Sequence, residues 1–125
     1  IHAFFRTKAG KIYRSDSTDG GYTWCEAYPI NLPNNNSGID VVMSDNGWLW
    51  LAYNPIAISG MSNTLMLSVS KDGGETWKDV EVLADNIIPF NEYSYPSMII
   101  DDNTLYITFT YERQRIDYAI IEFAD

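Results

Sequence analysis

The octamer Ser17-Thr18-Asp19-Gly20-Gly21-Tyr22-Thr23-Trp24 returns 53 residues later as Ser70-Lys71-Asp72-Gly73-Gly74-Glu75-Thr76-Trp77, with six of the eight positions identical. A repeat of this length fits one four-stranded propeller blade, and each blade needs neighbours to bury its two faces. In each octamer we expect the Asp carboxylate to accept backbone N–H groups across a turn, the glycines to supply positive φ, and the Trp indole to pack beneath the loop. The octamers therefore predict the fold and not a catalytic site.

Around the octamers, apolar and polar residues alternate with a period of two, as in half-buried strands. The clearest case is 104–111, where Leu105, Ile107 and Phe109 point to one side, because successive side chains of a strand face opposite ways. Similar runs predict strands at 1–6, 11–15, 39–44, 48–53, 64–70, 80–83, 95–100 and 117–123. No stretch of ten residues has a helical period, so the sequence predicts an all-β chain of antiparallel hairpins.

The composition limits what the chain can be. Its 125 residues, 46% of them hydrophobic, can bury one core, so one domain is expected. A net charge of -9 argues against nucleic acid and anionic membrane surfaces as partners, and no apolar run approaches the roughly 20 residues that span a bilayer. With Cys25 and His2 as the only cysteine and histidine, no internal disulfide, metal site or cofactor is predicted.

The pattern Ser-x-Asp-x-Gly-x-Thr-Trp resembles the Asp box of the sialidase superfamily, also called the BNR repeat. In that family the motif lies between the third and fourth strands of several blades of a six-bladed propeller. The resemblance implies an incomplete propeller of about two and a half blades from the C-terminal part: 1–28 finishing one blade, 29–83 forming a complete one, and 86–125 most of the last. The structural Asp-box residues would be Ser17, Asp19, Gly21, Thr23, Trp24, Ser70, Asp72, Gly74, Thr76 and Trp77.

Residues 92–98, Glu-Tyr-Ser-Tyr-Pro-Ser-Met, resemble the closing blade of the branch with a YSYP sequence. In sialidases that strand start carries the catalytic tyrosine, so the resemblance implies this role for Tyr95, with Tyr93 as the alternative. A tyrosine suits the chemistry because a neutral phenol attacks an anomeric carbon that bears a carboxylate without charge repulsion. The other interpretation is a tyrosine of the rim or the core.

Only some of the other site residues of sialidases have counterparts in this chain. Arg6 is similar in context to the second arginine of the sialidase triad, which binds a carboxylate, although a solvated strand-end arginine fits as well. Glu112 matches an acidic residue that orients an arginine or the tyrosine, or is an exposed hairpin residue. The third arginine is replaced by Ser62 or Asn63. The first arginine, the glutamate that polarises the tyrosine and the aspartate acid/base would lie upstream in the family order, so the catalytic set is incomplete.

Two further segments carry candidate sugar contacts. Asn35, Asn36 and Ser37 resemble the YSYP branch and would project into the central pocket, where amides and hydroxyls bond to sugar hydroxyls; polar turn residues are the alternative. These three residues also form a glycosylation sequon. The aromatic run 48–53 offers either a sugar-stacking face or a strand packed between blades.

The resemblance implies the C-terminal part of a sialidase-like, exo-acting glycoside hydrolase that removes terminal sugars from glycans. The alternative is a non-catalytic Asp-box propeller with a glycan-binding or structural role. The expected partner is a carbohydrate, and the rest of the ring would come from the parent chain or from a second copy. Relatives imply a secreted or periplasmic location, and a first residue inside a predicted strand leads us to expect that Ile1 is not the native start.

Overall fold

The computed structural model describes all residues from 1 to 125 and contains ten β-strands and no helix, which confirms the all-β prediction. No helix is long and apolar enough to span a membrane. The strands are β1 (His2–Phe5), β2 (Lys11–Asp16), β3 (Tyr28–Pro33), β4 (Asp40–Met43), β5 (Leu49–Tyr53), β6 (Thr64–Ser70), β7 (Lys78–Asp85), β8 (Tyr93–Asp101), β9 (Thr104–Tyr111) and β10 (Arg115–Glu122).

Three antiparallel sheets follow one another along the chain, in the orders β1-β2-β3, β4-β5-β6-β7 and β8-β9-β10. The middle sheet is a complete four-stranded blade, and its octamer joins the third strand to the fourth. The first sheet places its octamer in the same way, between β2 and β3. The structure is therefore a partial propeller of three consecutive sheets, as predicted.

One strand was missed by the sequence analysis. β3 pairs with β2 through Tyr13↔Pro29 and Lys11↔Pro33, so residues 29–33 belong to the first sheet and the predicted blade boundary after residue 28 is wrong. The two prolines hide the strand because proline cannot donate to a ladder and is tolerated only at edges and bulges. Here β3 is an edge strand, and the pairing contains a register shift between Lys11 and Tyr13.

Strand β5 is buried on both faces and joins the two main cores. Leu51 and Tyr53 pack against the first sheet, whereas Trp50 and Ala52 pack against the third. The core between the first two sheets contains Ile12, Ile30, Leu32, Leu51 and Tyr53, and the core between the last two contains Trp50, Ala52, Leu67, Val69, Met98, Leu105 and Ile107. Trp48 packs on Trp50 and Phe123, so the aromatic run 48–53 serves sheet packing and not sugar stacking.

The two octamer turns, Ser17–Trp24 and Ser70–Trp77, share five internal hydrogen bonds. In the first, Asp19 Oδ1 accepts the amide of Thr23 at 2.9 Å, Ser17 Oγ accepts the amide of Gly21 at 2.9 Å, and the Trp24 indole donates to the Gly21 carbonyl at 3.0 Å. The second repeats these contacts at 2.9, 2.8 and 3.1 Å. Each turn therefore satisfies its own backbone, which local hydrogen bonds of this kind do at a tight bend.

Arg14 links the first sheet to the second octamer turn by a hydrogen bond. Its guanidinium is almost fully buried, bonds to Asp16 at 3.0 Å and donates to the carbonyl of Gly73 at 3.3 Å. Gly74 leaves the room for this contact, since a Cβ there would lie 2.6 Å from Nη1 of Arg14. The repeat is thus part of the junction between sheets as well as a turn.

We predict that the octamer turns make the fold sensitive to acid. The Thr23 hydroxyl holds the pKa of Asp19 at about 2, and the Thr76 hydroxyl does the same for Asp72. Because the folded pKa lies below the ordinary value of 3.8, the stabilisation is complete above that value and is lost as the pH falls towards 2. The urea midpoint should therefore drop over this range, and the drop should be smaller in the Asp19→Asn/Asp72→Asn variant.

The matched control is Asp45→Asn, an exposed carboxylate in the turn between β4 and β5. It should retain the wild-type slope of stability against pH. Equal slopes in the wild type and the double variant would show that other carboxylates set the acid limit.

A second prediction separates backbone strain from the contact with Arg14. Gly47 and Gly74 both have positive φ, 84° and 91°, but a Cβ at Gly47 meets nothing. Gly47→Ala should therefore lower the free energy of unfolding only by the strain of a left-handed alanine, about 1 kcal/mol. Gly74→Ala should lower it by at least about 1 kcal/mol more, because it also displaces a buried guanidinium. Denaturant unfolding of both variants measures the difference, and equal losses would remove the assigned role of Arg14.

Candidate functional site

Five chain connections meet at one end of the three sheets, which we call the site end: residues 6–10, 34–39, 54–63, 86–92 and 112–114. They meet there because antiparallel strands alternate in direction, so every second connection returns to the same end. The octamer turns lie at the opposite end. Tyr95 is the third residue of β8, directly after the fourth of these connections. The other predicted catalytic and substrate-binding residues lie on the connections themselves: Arg6, Asn35, Asn36, Ser37, Ser62 and Glu112.

Tyr95 has a conformation that is rare for a bulky residue. Its φ is +53°, in the left-handed region, and 57% of its surface is exposed. The strand is irregular here, with a register shift against β9 between Ser94 and Ser97. The ring lies against Gly38, where a Cβ would sit 3.0 Å from Cδ1 of Tyr95. This conformation persists only because the surrounding structure imposes it, and such strain is concentrated at functional sites.

Tyr93, the alternative candidate, occupies a different environment. It is 1% exposed and packs with Leu65 and Phe109 in a third apolar cluster. Its hydroxyl lies 3.5 Å from Oε1 of Glu112. Tyr93 is therefore a core residue, and the carboxylate predicted to orient an arginine or the tyrosine lies against this buried phenol.

A small polar cavity of about 150 Å³ opens beside Tyr95. The 34–39 and 54–63 connections meet at its wall, where Ser37 Oγ and Ser62 Oγ lie 3.0 Å apart. Asn36 also lines the cavity, and its Oδ1 accepts a bond from Nε of Arg6 at 3.3 Å. The structure thus connects four of the predicted residues to the Tyr95 cavity, either directly or through Asn36.

For Asn35 the prediction of a side chain in the pocket is wrong. Its amide nitrogen donates to the carbonyls of Ile58 and Met61 at 3.0 and 2.6 Å, and its oxygen accepts the amide of Ser37 at 3.2 Å. These bonds occupy both the nitrogen and the oxygen of the Asn35 carboxamide. The side chain therefore links the 34–39 connection to the 54–63 connection and does not line the cavity. Sequence alone does not separate an amide that faces a ligand from one that closes a turn.

An ion pair that was not predicted from the sequence also lies at the site end. Arg113 donates to both carboxylate oxygens of Glu92, with distances of 3.0 to 3.2 Å, and Ser94 Oγ donates to the same carboxylate at 3.0 Å. The bonds from Arg113 hold the pKa of Glu92 below its usual range, so this group is ionised at neutral pH. Both residues border the Tyr95 cavity. The available signal was a glutamate next to the Tyr-Ser-Tyr-Pro segment and an arginine in a predicted hairpin turn, but nothing in the sequence pairs them.

Two other features lie outside this site. The largest cavity, about 710 Å³, is a mainly apolar groove along β1 and β4 that contains none of the predicted site residues. No cluster of three or more His, Cys, Asp or Glu side chains is arranged to hold a metal ion.

Comparison with known proteins identifies the family to which the chain belongs. Residues 1–107 match the family model of the BNR repeat-like domain, and the chain belongs to this family. The match covers all of the first two sheets, and in the third it covers β8 and the first half of β9. A search of curated proteins found no match.

Two solved structures have the same fold. The α-L-arabinofuranosidase Arb93A from Fusarium graminearum, in complex with an iminosugar inhibitor, superposes with a TM-score of 0.61 at 14% identity. The E242A mutant of that enzyme, also with an iminosugar inhibitor, gives 0.58 at 16%. Each alignment covers 90% of this chain but 40% of the enzyme, so the chain spans less than half the length of these structures.

We predict that Gly38 sets the position of the Tyr95 ring. Gly38 has no positive φ, so alanine fits the backbone, and the effect of Gly38→Ala should come from the added methyl group against Cδ1 of Tyr95. The NMR signals of the labelled Tyr95 ring should shift, while those of Tyr22 at the opposite end should not. The cost in unfolding free energy should stay below about 1.5 kcal/mol. An unchanged Tyr95 signal would show that the ring is not held by this contact.

Proposed function

We propose that this chain is part of an exo-acting glycoside hydrolase that removes terminal sugars from glycans, and that Tyr95 contacts the sugar at the reacting end. The observation that carries the proposal is the strained, exposed Tyr95 at the opening of a polar cavity. Likeness to an arabinofuranosidase fold supports a carbohydrate as the substrate class. With the proposal comes the expectation of a secreted or periplasmic protein.

The contents of the cavity suit a sugar. Serine hydroxyls and the Asn36 amide can donate to and accept from sugar hydroxyls. The volume of about 150 Å³ is small compared with the 300–1,000 Å³ typical of drug-sized ligand sites. Tyr95 also lines a wider, open cavity of about 600 Å³ together with Glu92 and Arg113, so attack at a chain end is proposed from the resemblance to sialidases and not from the cavity volume.

The chemistry proposed for Tyr95 is nucleophilic. Its phenolic oxygen would bond to the anomeric carbon as the glycosidic C–O bond breaks, and the phenolic proton would pass to the glutamate that the resemblance to sialidases implies upstream; water then hydrolyses the glycosyl–tyrosine bond and returns a proton to the phenol. Glu92 is unsuited to act as the general acid, because Arg113 lowers its pKa and keeps it ionised. The group that protonates the leaving oxygen would therefore come from a part of the ring that precedes this chain, as the resemblance to sialidases implies.

The charges near the cavity favour a neutral sugar over sialic acid. Of the two arginines around Tyr95, Arg113 is neutralised by Glu92 and Arg6 is bonded to Asn36 through Nε. Ser62 stands where the family has a third arginine, and its hydroxyl faces Ser37. Arg6 keeps both terminal nitrogens free, so a carboxylate would meet one unpaired guanidinium here and not the set of three arginines that the resemblance to sialidases implies. For a neutral sugar, such as the arabinofuranoside of the similar enzyme, the nucleophilic role of Tyr95 is supported by its exposed position at the cavity and not by the charge argument that applies to sialic acid.

We predict that Tyr95→Phe in the intact protein lowers kcat by at least about 100-fold with little change in KM, because the hydroxyl acts in the transition state. The assay uses 4-nitrophenyl α-L-arabinofuranoside, β-D-galactoside and α-sialoside. Tyr22→Phe is the control, since Tyr22 is 90% exposed in the first octamer turn.

Two results would change the conclusion. If the wild-type protein binds one of these sugars but hydrolyses none, the non-catalytic glycan-binding propeller is the correct function. If Tyr95→Phe hydrolyses its substrate as fast as the wild type, another residue is the nucleophile.

A further inference from the structure

We propose that a second cavity, next to the Tyr95 cavity, binds the following sugar unit, so that the protein holds at least two consecutive residues of a glycan chain. The inference rests on the proposed function and adds to it the class of substrate: an oligosaccharide or polysaccharide end. The second cavity measures about 470 Å³ and is lined by Phe90, Asn91, Glu92, Glu112, Arg113 and Gln114.

The two cavities share a wall. Glu92 and Arg113 line both of them, and the three bonds between these side chains make the wall rigid. A ligand that fills the cavity beside Tyr95 therefore continues past this ion pair into the second one. This contiguity is what a chain of sugars requires, because successive rings must occupy neighbouring sites.

The lining of the second cavity matches the two kinds of surface that a sugar ring presents. Phe90 is the only hydrophobic residue in the lining and is 89% exposed, so its ring is available to the C–H face of a sugar. Asn91 and Gln114 add amides that donate to and accept from hydroxyls. Other aromatic side chains of the protein are also exposed, such as Tyr22 and Tyr118, so the exposure of Phe90 counts here only together with the polar cavity that it lines.

The hairpin turn between β9 and β10 supplies a second, independent observation. The amide of Gln114 closes the turn on the carbonyl of Tyr111 at 3.0 Å, and both central residues have positive φ, +53° at Glu112 and +54° at Arg113. Turns of this type strongly favour Asn-Gly, which adopts these angles without strain. A glutamate and an arginine are held here at a conformational cost, and both side chains line the second cavity.

The ion pair by itself does not account for this strain. The side chain of Arg113 is 78% exposed, and exposed ion pairs contribute little to stability because water and salt screen them. Retaining charged residues at strained positions is expected where their side chains contact a ligand. Glu112 has a structural contact of its own, with the Tyr93 hydroxyl at 3.5 Å, so it is the strained position of Arg113 that points to a ligand.

The test is calorimetric titration of the intact protein with methyl α-L-arabinofuranoside, which has one sugar unit, and with linear arabinotriose, which has three. Methyl β-D-galactopyranoside and galactotriose form a second pair of probes. Phe90→Ala should weaken binding of the trisaccharide by about five- to tenfold and leave that of the methyl glycoside within about twofold. Ile87→Ala is the matched control, since Ile87 is 97% exposed on the same connection and does not line the cavity.

The outcomes separate this inference from the proposed function. If Phe90→Ala changes the affinity for neither the methyl glycoside nor the trisaccharide, or changes both affinities equally, the second cavity is not a sugar site. The role proposed for Tyr95 is unaffected by that result. If the wild-type protein binds no probe of either pair, the proposed function fails and the second site fails with it.

A turn variant tests the argument from strain. Replacing the central pair, Glu112→Asn with Arg113→Gly, should raise the thermal midpoint by a few degrees or leave it unchanged. The same variant should weaken arabinotriose binding at least fivefold. A clear fall in the midpoint would show that the two residues serve the hairpin, and the inference from their strain would be overturned.

Discussion

Packing of one sheet face on the next is the constraint on which this structure depends. No single sheet of three or four strands can bury both of its faces, and strand β5 shows the solution: Leu51 faces the first sheet while its neighbour Trp50 faces the third. Face-to-face stacking fixes the order of the sheets. It also brings every second chain connection to one end, where loops distant in sequence meet, as Ser62 and Glu92 do through a parallel bridge.

The two ends of the sheets use strained backbone differently. At the octamer end, positive φ occurs at Gly20, Gly21, Gly47, Gly73, Gly74 and Asp102, and at the site end at Gly10, Asn36, Gly60, Tyr95, Glu112 and Arg113. Glycine takes this conformation without a steric penalty, whereas side-chain-bearing residues cost about 1–3 kcal/mol each. One end is thus built for stability, and the other tolerates strain to hold particular side chains. This division explains why the repeat identifies the fold but not the chemistry.

Prediction from sequence succeeded where the controlling interaction is local. The octamer bonds span four residues, and β6 and β9 have the bounds that their period of two predicts. It failed where proline masked an edge strand at β3, and where Asn35 closes a turn instead of facing a ligand. The Glu92–Arg113 pair was missed for a different reason: its members are 21 residues apart, and only the β8–β9–β10 hairpins bring them together.

The sequence by itself determined the all-β class, the repeated turn and membership in a propeller, because hydrophobic alternation and turn chemistry act over a few residues. The candidate site residues came from the resemblance to sialidases. Only the tertiary structure decided which of them share a cavity, which carboxylate neutralises which guanidinium, and that Tyr93 is core while Tyr95 is exposed. Those outcomes depend on contacts between separate sheets and on a bulge, and such contacts have no periodic signature in the chain.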